Sequence, residues 1–126
     1  MKSRRVIKVG ILPYGDIKSR TLAIARGALK PAKGDPKVWF PSIRSFANIL
    51  SEENTALLSV IRKTRPASLK DLERSTGRAQ SNLSRTLRGM EKYGLVKLSE
   101  GIGARGRKPL VPEVIADEIR LELTLG

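Results

Sequence analysis

One stretch of the sequence places basic and small polar side chains three and four residues apart. The members of this row are Arg78, Ser81, Arg85, Arg88 and Lys92. At about 100° per residue, a helix would bring them into one stripe, roughly opposite Leu83 and Leu87. Three further polar residues flank the stripe near the start of such a helix: Gln80, Asn82 and Ser84.

These side-chain types match the chemistry of the DNA major groove. Arginine pairs with guanine through two hydrogen bonds, Asn and Gln pair with adenine in the same way, and Ser bonds to bases or phosphates. The alternative is a solvated helix face, which is the commoner role of a charged stripe. The stripe by itself leaves both interpretations open.

The sequence around the stripe predicts two helices joined by a tight turn. Ser68 is placed to cap the first helix, with Asp71 three residues later. Gly77 interrupts the pattern where a turn needs unusual backbone angles. The second helix is predicted from about Ala79 to Lys92, with an apolar face formed by Leu83, Leu87 and Met90. Gly94 follows as its C-terminal cap.

Composition points to a polyanion as the ligand. The chain has 126 residues, 40% of them hydrophobic, which suits one domain with an elaborated N-terminal arm. The formal net charge is +13, which favours nucleic acid or an anionic membrane surface as partner. No apolar run approaches the roughly 20 residues of a membrane span, and no secretory signal is visible. A cytoplasmic protein without a membrane partner is therefore expected.

Catalysis and metal binding are not expected. The chain contains no cysteine and no histidine, so it lacks thiolate chemistry, the usual general base and the commonest transition-metal ligand. The 12 acidic residues are scattered along the chain. We therefore expect no enzyme activity, no metal and no cofactor.

Charge is unevenly distributed along the chain. Residues 1–50 carry 11 basic and two acidic side chains, and residues 78–112 carry eight and two. Residues 113–126 carry one basic and four acidic side chains. Two basic zones and an acidic end predict a polyanion-binding surface and a separate end that does not bind it.

The rest of the chain predicts a mixed α+β protein. Before the stripe we expect a strand at Val6–Leu12, a helix from Ile17 to about Lys30 capped by Asp16, an edge strand at Val38–Phe40, a short helix capped by Ser42, and a helix at about 52–63 capped by Ser51. After the stripe we expect a strand at Leu95–Glu100, a glycine-rich basic loop at 101–109 and a returning strand at Leu110–Val114.

The final segment alternates apolar and polar residues. Its apolar members are Ile119, Leu121, Leu123 and Leu125. This period of two predicts a last strand with one buried face, covered either by Val6–Leu12 or by a second chain. A helix starting at Pro112 is the alternative.

Three helices followed by a hairpin with a basic, glycine-rich tip is the plan of a winged helix. The run GRAQSNLSRTLRGMEKYGLVKL (77–98) resembles the recognition helix and first wing strand of MarR-type winged-helix transcription regulators, with their S-R-x-L centre and G-L-V end. The resemblance covers about residues 51–114. It implies a winged helix-turn-helix domain at 51–114, an N-terminal strand–helix extension at 1–50 and a C-terminal strand at 115–126.

A narrower resemblance covers nearly the whole chain. Small DNA-binding or antitoxin-type proteins of bacteria and archaea are similar in having an N-terminal strand and helix and a final strand after the wing. The sequence departs from metal-sensing winged helices, which need Cys or His clusters. It also lacks the long flanking dimerisation helices of typical MarR proteins, so a dimer would have to form differently.

The resemblance assigns roles to particular residues. It places Ser81, Asn82, Ser84, Arg85 and Arg88 in the major groove. In the wing, it places Arg105, Arg107 and Lys108 on phosphates or in the minor groove. The alternative for the wing is an ordinary mobile hairpin.

Three functions remain open at this point. The first is a sequence-specific regulator that occupies an operator on double-stranded DNA, as a homodimer formed by the N-terminal segment and the last strand. The second is an antitoxin or adaptor that binds a protein toxin through its acidic end and autoregulates its operon. The third is a non-specific nucleic-acid-binding protein.

Overall fold

The computed structural model describes residues 4–102 and 109–125, which contain five helices and five strands. In chain order the elements are β1 (Val6–Ile11), α1 (Tyr14–Ala25), β2 (Val38–Phe40), α2 (Ile43–Ile49), α3 (Glu52–Thr64), α4 (Leu69–Thr76), α5 (Gln80–Lys92), β3 (Val96–Glu100), β4 (Leu110–Val114) and β5 (Glu118–Glu122). The fold is α+β. In the described ranges, no helix combines the length and the apolar character needed to cross a membrane.

The chain forms two compact units. Met1–Asn48 and Asp117–Gly126 together make the first, which we call the sheet unit. Ile49–Ala116 makes the second, the helix unit. The first and last segments of the sequence therefore fold together, and the helix unit is inserted between them in the chain.

The sheet unit is built on three parallel strands in the order β2-β1-β5. Because parallel neighbours cannot be joined by a tight hairpin, α1 and its flanking loops form the crossover from β1 to β2. In the register, Val9 of the central strand lies opposite Val38 on one side and Leu121 on the other. The predicted strands at the start and end of the chain are confirmed, as is the edge position of Val38–Phe40.

The loop between α1 and β2 is held by polar contacts within itself and to α1. Asp35 accepts hydrogen bonds from the Ala32 amide at 2.8 Å and from Arg20 at 3.1 Å, and these contacts hold the pKa of Asp35 below its ordinary value. The Arg20 guanidinium also lies 5.3 Å from the centre of the Trp39 ring. Trp39 is thereby fixed against the central strand.

The bounds predicted for the first helix were wrong. It begins at Tyr14, because Pro13 at φ −54° precedes it and its carbonyl accepts from the Asp16 amide at 2.9 Å. Asp16 is not the cap. It lies in the first turn, where its negative charge interacts favourably with the positive end of the helix dipole. The helix ends at Ala25, ahead of Gly27 at φ +76°.

Within one chain, the apolar face predicted for the last strand is not buried. β5 does pair with β1 of the same chain, and Pro112 lies in β4 rather than at the start of a helix. However, Leu121 is 39% exposed, Leu123 48% and Leu125 88%. A neighbouring strand buries the backbone edge but leaves the faces of the sheet uncovered, so pairing alone does not bury these side chains.

The helix unit has a continuous apolar core. Its largest fully buried side chains are Ile61, Leu72, Leu83, Leu87, Met90, Leu95 and Val96. The predicted caps are confirmed: Ser51 accepts from the Asn54 amide at 3.2 Å, and Ser68 from the Asp71 amide at 3.1 Å. The predicted hairpin is confirmed as well, because β3 and β4 pair antiparallel from Val96↔Val114 to Glu100↔Leu110.

We expect Gly10→Ala to destabilise the sheet unit. A Cβ at Gly10 would lie 2.5 Å from Cζ3 of Trp39, and overpacking of this kind costs about 1–3 kcal/mol. Gly15→Ala is the matched control, because a Cβ there meets nothing within 4 Å and alanine favours a helix. Urea unfolding monitored by fluorescence of Trp39, the single tryptophan, gives both free energies. Equal stability of the two variants would contradict the expectation.

Candidate functional site

The candidate site is the outward face of α5. Leu83, Leu87 and Met90 of this helix are completely buried. The side chains on the opposite face are all exposed, and we call them the basic stripe: Ser81, Arg85, Arg88 and Lys92. At about 100° per residue, the stripe occupies only about 60° of the helix circumference.

The cations of the basic stripe form no ion pair within the described part of the chain. Among the residues that the structure describes, Arg85 and Lys92 make no side-chain hydrogen bond or ion pair. Arg88 donates from Nε to the hydroxyl of Ser84 at 3.3 Å, which is a neutral partner. Such a row of charge on a convex helix can attract a polyanion.

Arg78 lies two residues before α5, and its guanidinium is bound to other side chains. Nε donates to Oδ1 of Asn82 at 2.8 Å, Nη1 to Oδ1 of Asn54 at 3.2 Å, and Nη2 to Oγ1 of Thr86 at 3.0 Å. These bonds join the first two turns of α5 to the first turn of α3. The structure therefore brings Arg78 and Asn82 together, and gives Arg78 the role of positioning α5.

Glu73 stabilises the start of α5 in place of a local cap. Ala79 at the cap position offers no side-chain acceptor. Instead, Glu73 of α4 accepts from the Gln80 backbone amide at 3.2 Å and from the Gln80 side chain at 3.4 Å. A carboxylate here satisfies a free helix N–H group and complements the positive end of the helix dipole. Gln80, predicted as a site residue, is thus held by Glu73.

The acidic residue within α5 is also engaged by a backbone group. Glu91 of α5 accepts from the Leu98 amide at 3.0 Å and so links the helix to β3. Glu73 and Glu91 each fix an end of α5 through a backbone N–H. Both carboxylates therefore hold the helix, and in the described part of the chain neither forms an ion pair with a cation of the basic stripe.

As predicted, a glycine follows the end of α4 and another follows the end of α5, the helix that carries the site. Gly77 closes α4 at φ +75° and donates to the Glu73 carbonyl at 2.7 Å. After α5, Gly94 at φ +72° donates to the Glu91 carbonyl at 2.9 Å, and Leu95 donates to the Met90 carbonyl at 3.1 Å. This pair of bonds is a Schellman motif, and it places the buried Leu95 at the start of the hairpin.

The three predicted wing residues, Arg105, Arg107 and Lys108, lie outside the described residues. The neck of the hairpin is closed by a hydrogen bond from the Gly101 amide to the Pro109 carbonyl at 2.7 Å.

The sequence interpretation missed Glu73, Asn54 and Thr86. Only Thr86 carried a signal, because it lies eight residues, about two helical turns, after Arg78.

We expect Arg78→Met to destabilise α5. Methionine keeps much of the apolar stem but removes three hydrogen bonds, for an expected decrease of about 1–2 kcal/mol in the free energy of unfolding. Urea unfolding monitored by circular dichroism measures this decrease, and hydrogen exchange should locate it in the first two turns of α5. Arg74→Met is the matched control, since Arg74 is exposed and, among the described residues, pairs only with Asp71 at 3.6 Å. Equal decreases in the two variants would contradict the role of Arg78 in positioning α5.

Comparison with known proteins identifies a family. The HVO_A0114 family model matches residues 49–121, which is more than half of the chain. The match begins at the first residue of the helix unit and extends into β5. No curated protein matches the chain, and no solved structure matches it. On the extent of the family match, the chain belongs to the HVO_A0114 family.

Proposed function

We propose that this protein is a sequence-specific regulator of transcription that acts in the cytoplasm by occupying an operator on double-stranded DNA. The observation that carries the proposal is the basic stripe of α5: exposed, without an ion pair in the described part of the chain, and set opposite a completely buried apolar row. The order of elements in the helix unit supports it. Three helices followed by an antiparallel hairpin are the element order expected of a winged helix-turn-helix, and the sequence of α5 resembles the MarR-type recognition helix.

In this proposal α5 lies in the major groove. A helix with its side chains is about 10–12 Å across and fits a groove about 12 Å wide. Ser81, Asn82 and Arg85 are exposed in the first half of α5, the part that contacts base edges in helix-turn-helix proteins. Arg85 is the strongest candidate for a guanine contact, because its guanidinium has no partner within the described part of the chain.

The remaining basic residues of the site suit phosphate contacts. Arg88 and Lys92 follow Arg85 by one and two turns of α5, toward the end of the helix that leaves the groove. Arg105, Arg107 and Lys108 would contact phosphates from the wing. Such contacts supply affinity without sequence information, whereas base contacts supply specificity.

The contacts around Arg78, Glu73 and Glu91 favour a specific binder over a non-specific one. Electrostatic attraction alone needs only charge, and it tolerates mobile side chains. Recognition of a base needs its contact residue held to within a fraction of an ångström. α5 is fixed at both ends, by Glu73 at its start and Glu91 at its end. That arrangement provides the rigidity which base recognition requires.

We expect Arg85→Ala to remove most of the sequence preference while leaving the fold intact. Removing a two-bond base contact costs about 1–3 kcal/mol, and the exposed side chain contributes nothing to the core. Selection from a random duplex library would first give the cognate site. Binding to cognate and scrambled duplexes is then compared at one salt concentration.

Arg62→Ala is the matched control for Arg85→Ala. It removes the same charge from an exposed position on α3, outside α5, so it should keep the ratio of cognate to scrambled affinity. If Arg85→Ala also kept the full ratio, Arg85 would not contact a base.

Replacing Arg105, Arg107 and Lys108 together with alanine should weaken binding to all duplexes about equally. For each phosphate that the wing no longer neutralises, the slope of log affinity against log salt should become shallower by about 0.9. The measurement is a salt titration of wild-type and triple-variant affinities on cognate and scrambled duplexes. An unchanged slope would place the wing away from the DNA.

A further inference from the structure

The sheet unit leaves much apolar surface uncovered. Of the ten large hydrophobic residues that are exposed in the described ranges, nine belong to this unit: Val6, Tyr14, Leu22, Ile24, Leu29, Ile43, Leu121, Leu123 and Leu125. Exposed apolar surface concentrated in one part of a chain marks an interaction site. Three of the nine, Leu121, Leu123 and Leu125, lie in or directly after β5.

β5 also has a free backbone edge. It pairs with β1 on one side, and no strand in the described part of the chain pairs with its other side. An open edge is a template for a further strand, and exposed apolar side chains beside it add to the attraction. The composition of β5 itself indicates which strand fits.

The sequence of β5 is complementary to itself in one antiparallel register. With a two-fold axis through Leu121, perpendicular to the sheet, Arg120 lies opposite Glu122 of the partner subunit, and Glu122 opposite the partner's Arg120. Ile119 then lies opposite Leu123 of the partner subunit, and Leu121 opposite its own copy. Opposite charges and apolar pairs placed directly across two strands both stabilise a sheet.

Neighbouring registers fit less well. An axis through Arg120 sets Arg120 against its own copy and Glu118 against the partner's Glu122, and like charges directly opposite are destabilising. An axis through Ile119 sets Asp117 opposite the partner's Leu121 and leaves Leu123 uncovered. A shift by a single residue, so that no residue faces its own copy, mixes the apolar and charged faces.

The charges already on the sheet favour the same register. Lys8 of β1 lies directly opposite Arg120 in the register of the two strands, so two cations are neighbours. Glu122 lies 3.3 Å from Lys8, and Glu118 contacts both Arg4 and Arg120. The hydrogen bond from Arg120 is the main cause that holds the pKa of Glu118 below its ordinary value. Another carboxylate on the free side of Arg120 would balance the adjacent pair of cations.

We infer that the outer edge of β5 pairs antiparallel with β5 of a second copy of this chain, with Leu121 at the two-fold axis. The two sheets then join into one sheet of six strands, in the order β2-β1-β5-β5-β1-β2. The apolar faces of both copies lie on the same side and form one surface. The pairing involves no residue of α5, so it stands whether or not the protein binds DNA.

Charge exchange across the axis tests the register. Arg120→Glu and Glu122→Arg, each alone, place like charges opposite one another at two symmetric positions, and each should raise the dimer dissociation constant about tenfold. The double variant restores opposite charges and should return the constant to within about threefold of wild type. Sedimentation over a concentration series measures all four proteins, with circular dichroism to check the fold.

The dissociation constant is compared among folded chains, so contacts within one chain do not by themselves produce that recovery. In the double variant the two original ion pairs are lost, because a glutamate lies beside Glu118 and an arginine beside Lys8, although the new glutamate also lies opposite Lys8. A double variant as weak as the single ones would overturn the register. A wild-type chain that remains monomeric throughout the series would overturn the pairing itself.

A cross-linking experiment tests the position of the axis without altering a charge. The chain has no cysteine, so Leu121→Cys introduces one thiol per copy. The two Cα atoms across the axis would be about 4.5–5.5 Å apart, within the range for a disulfide. Treatment with diamide should give a linked dimer.

Thr124→Cys is the control, because in this register the two copies of residue 124 are six residues apart along the strands, about 20 Å. It should remain unlinked under the same treatment. Linkage of Thr124→Cys as fast as Leu121→Cys, or failure of Leu121→Cys to link, would overturn the assignment. In that case the free edge would be open to another partner, such as the toxin that the antitoxin hypothesis requires.

Discussion

The burial of Leu83, Leu87 and Met90 is the constraint on which the candidate site depends. All three are completely buried, and α5 packs against α4 and β3. Each such side chain stabilises the fold by about 1.5–3 kcal/mol. Rotation of α5 about its axis would expose these residues, so the rotation is fixed. The basic stripe faces outward because it lies on the other side of the same helix.

Apolar packing fixes the rotation of α5 but leaves it free to shift slightly along its axis or to fray at its start. The polar contacts remove these freedoms. Glu73 holds the first amide of the helix, Arg78 bridges its first two turns to Asn54, and Glu91 binds β3. Such bonds contribute only modest net stability, since the same groups would otherwise bond to water. Their effect is to define one position of the stripe.

The sequence predicted those features whose causes lie within a few residues. A serine cap, a glycine at positive φ and an apolar row of period 3.6 act locally, so Ser51, Ser68, Gly77, Gly94 and the buried face of α5 were predicted correctly. The bond from Arg78 to Asn54 spans 24 residues, and no local pattern indicates it. The pairing of β5 with β1, where Arg5 bonds to Asp117 across 112 residues, was predicted only as one of two alternatives, because alternation does not identify the partner strand. The exposure of Leu121 escaped prediction because alternation shows that a face is apolar without showing what covers it.

The order of the units along the chain links the two proposals. The chain leaves the sheet unit after Asn48 and returns to it at Asp117, so the helix unit is attached to the sheet unit at both of its ends. With β5 paired to its copy, each dimer contains two helix units, and each of these is connected to its sheet unit by two chain segments. Once one unit binds a half-site, the other is held at a high local concentration near the second half-site, and the overall affinity exceeds that of either unit alone. A single recognition helix contacts only a few base pairs, so under the two proposals this pairing would add to the selectivity of α5 for an operator.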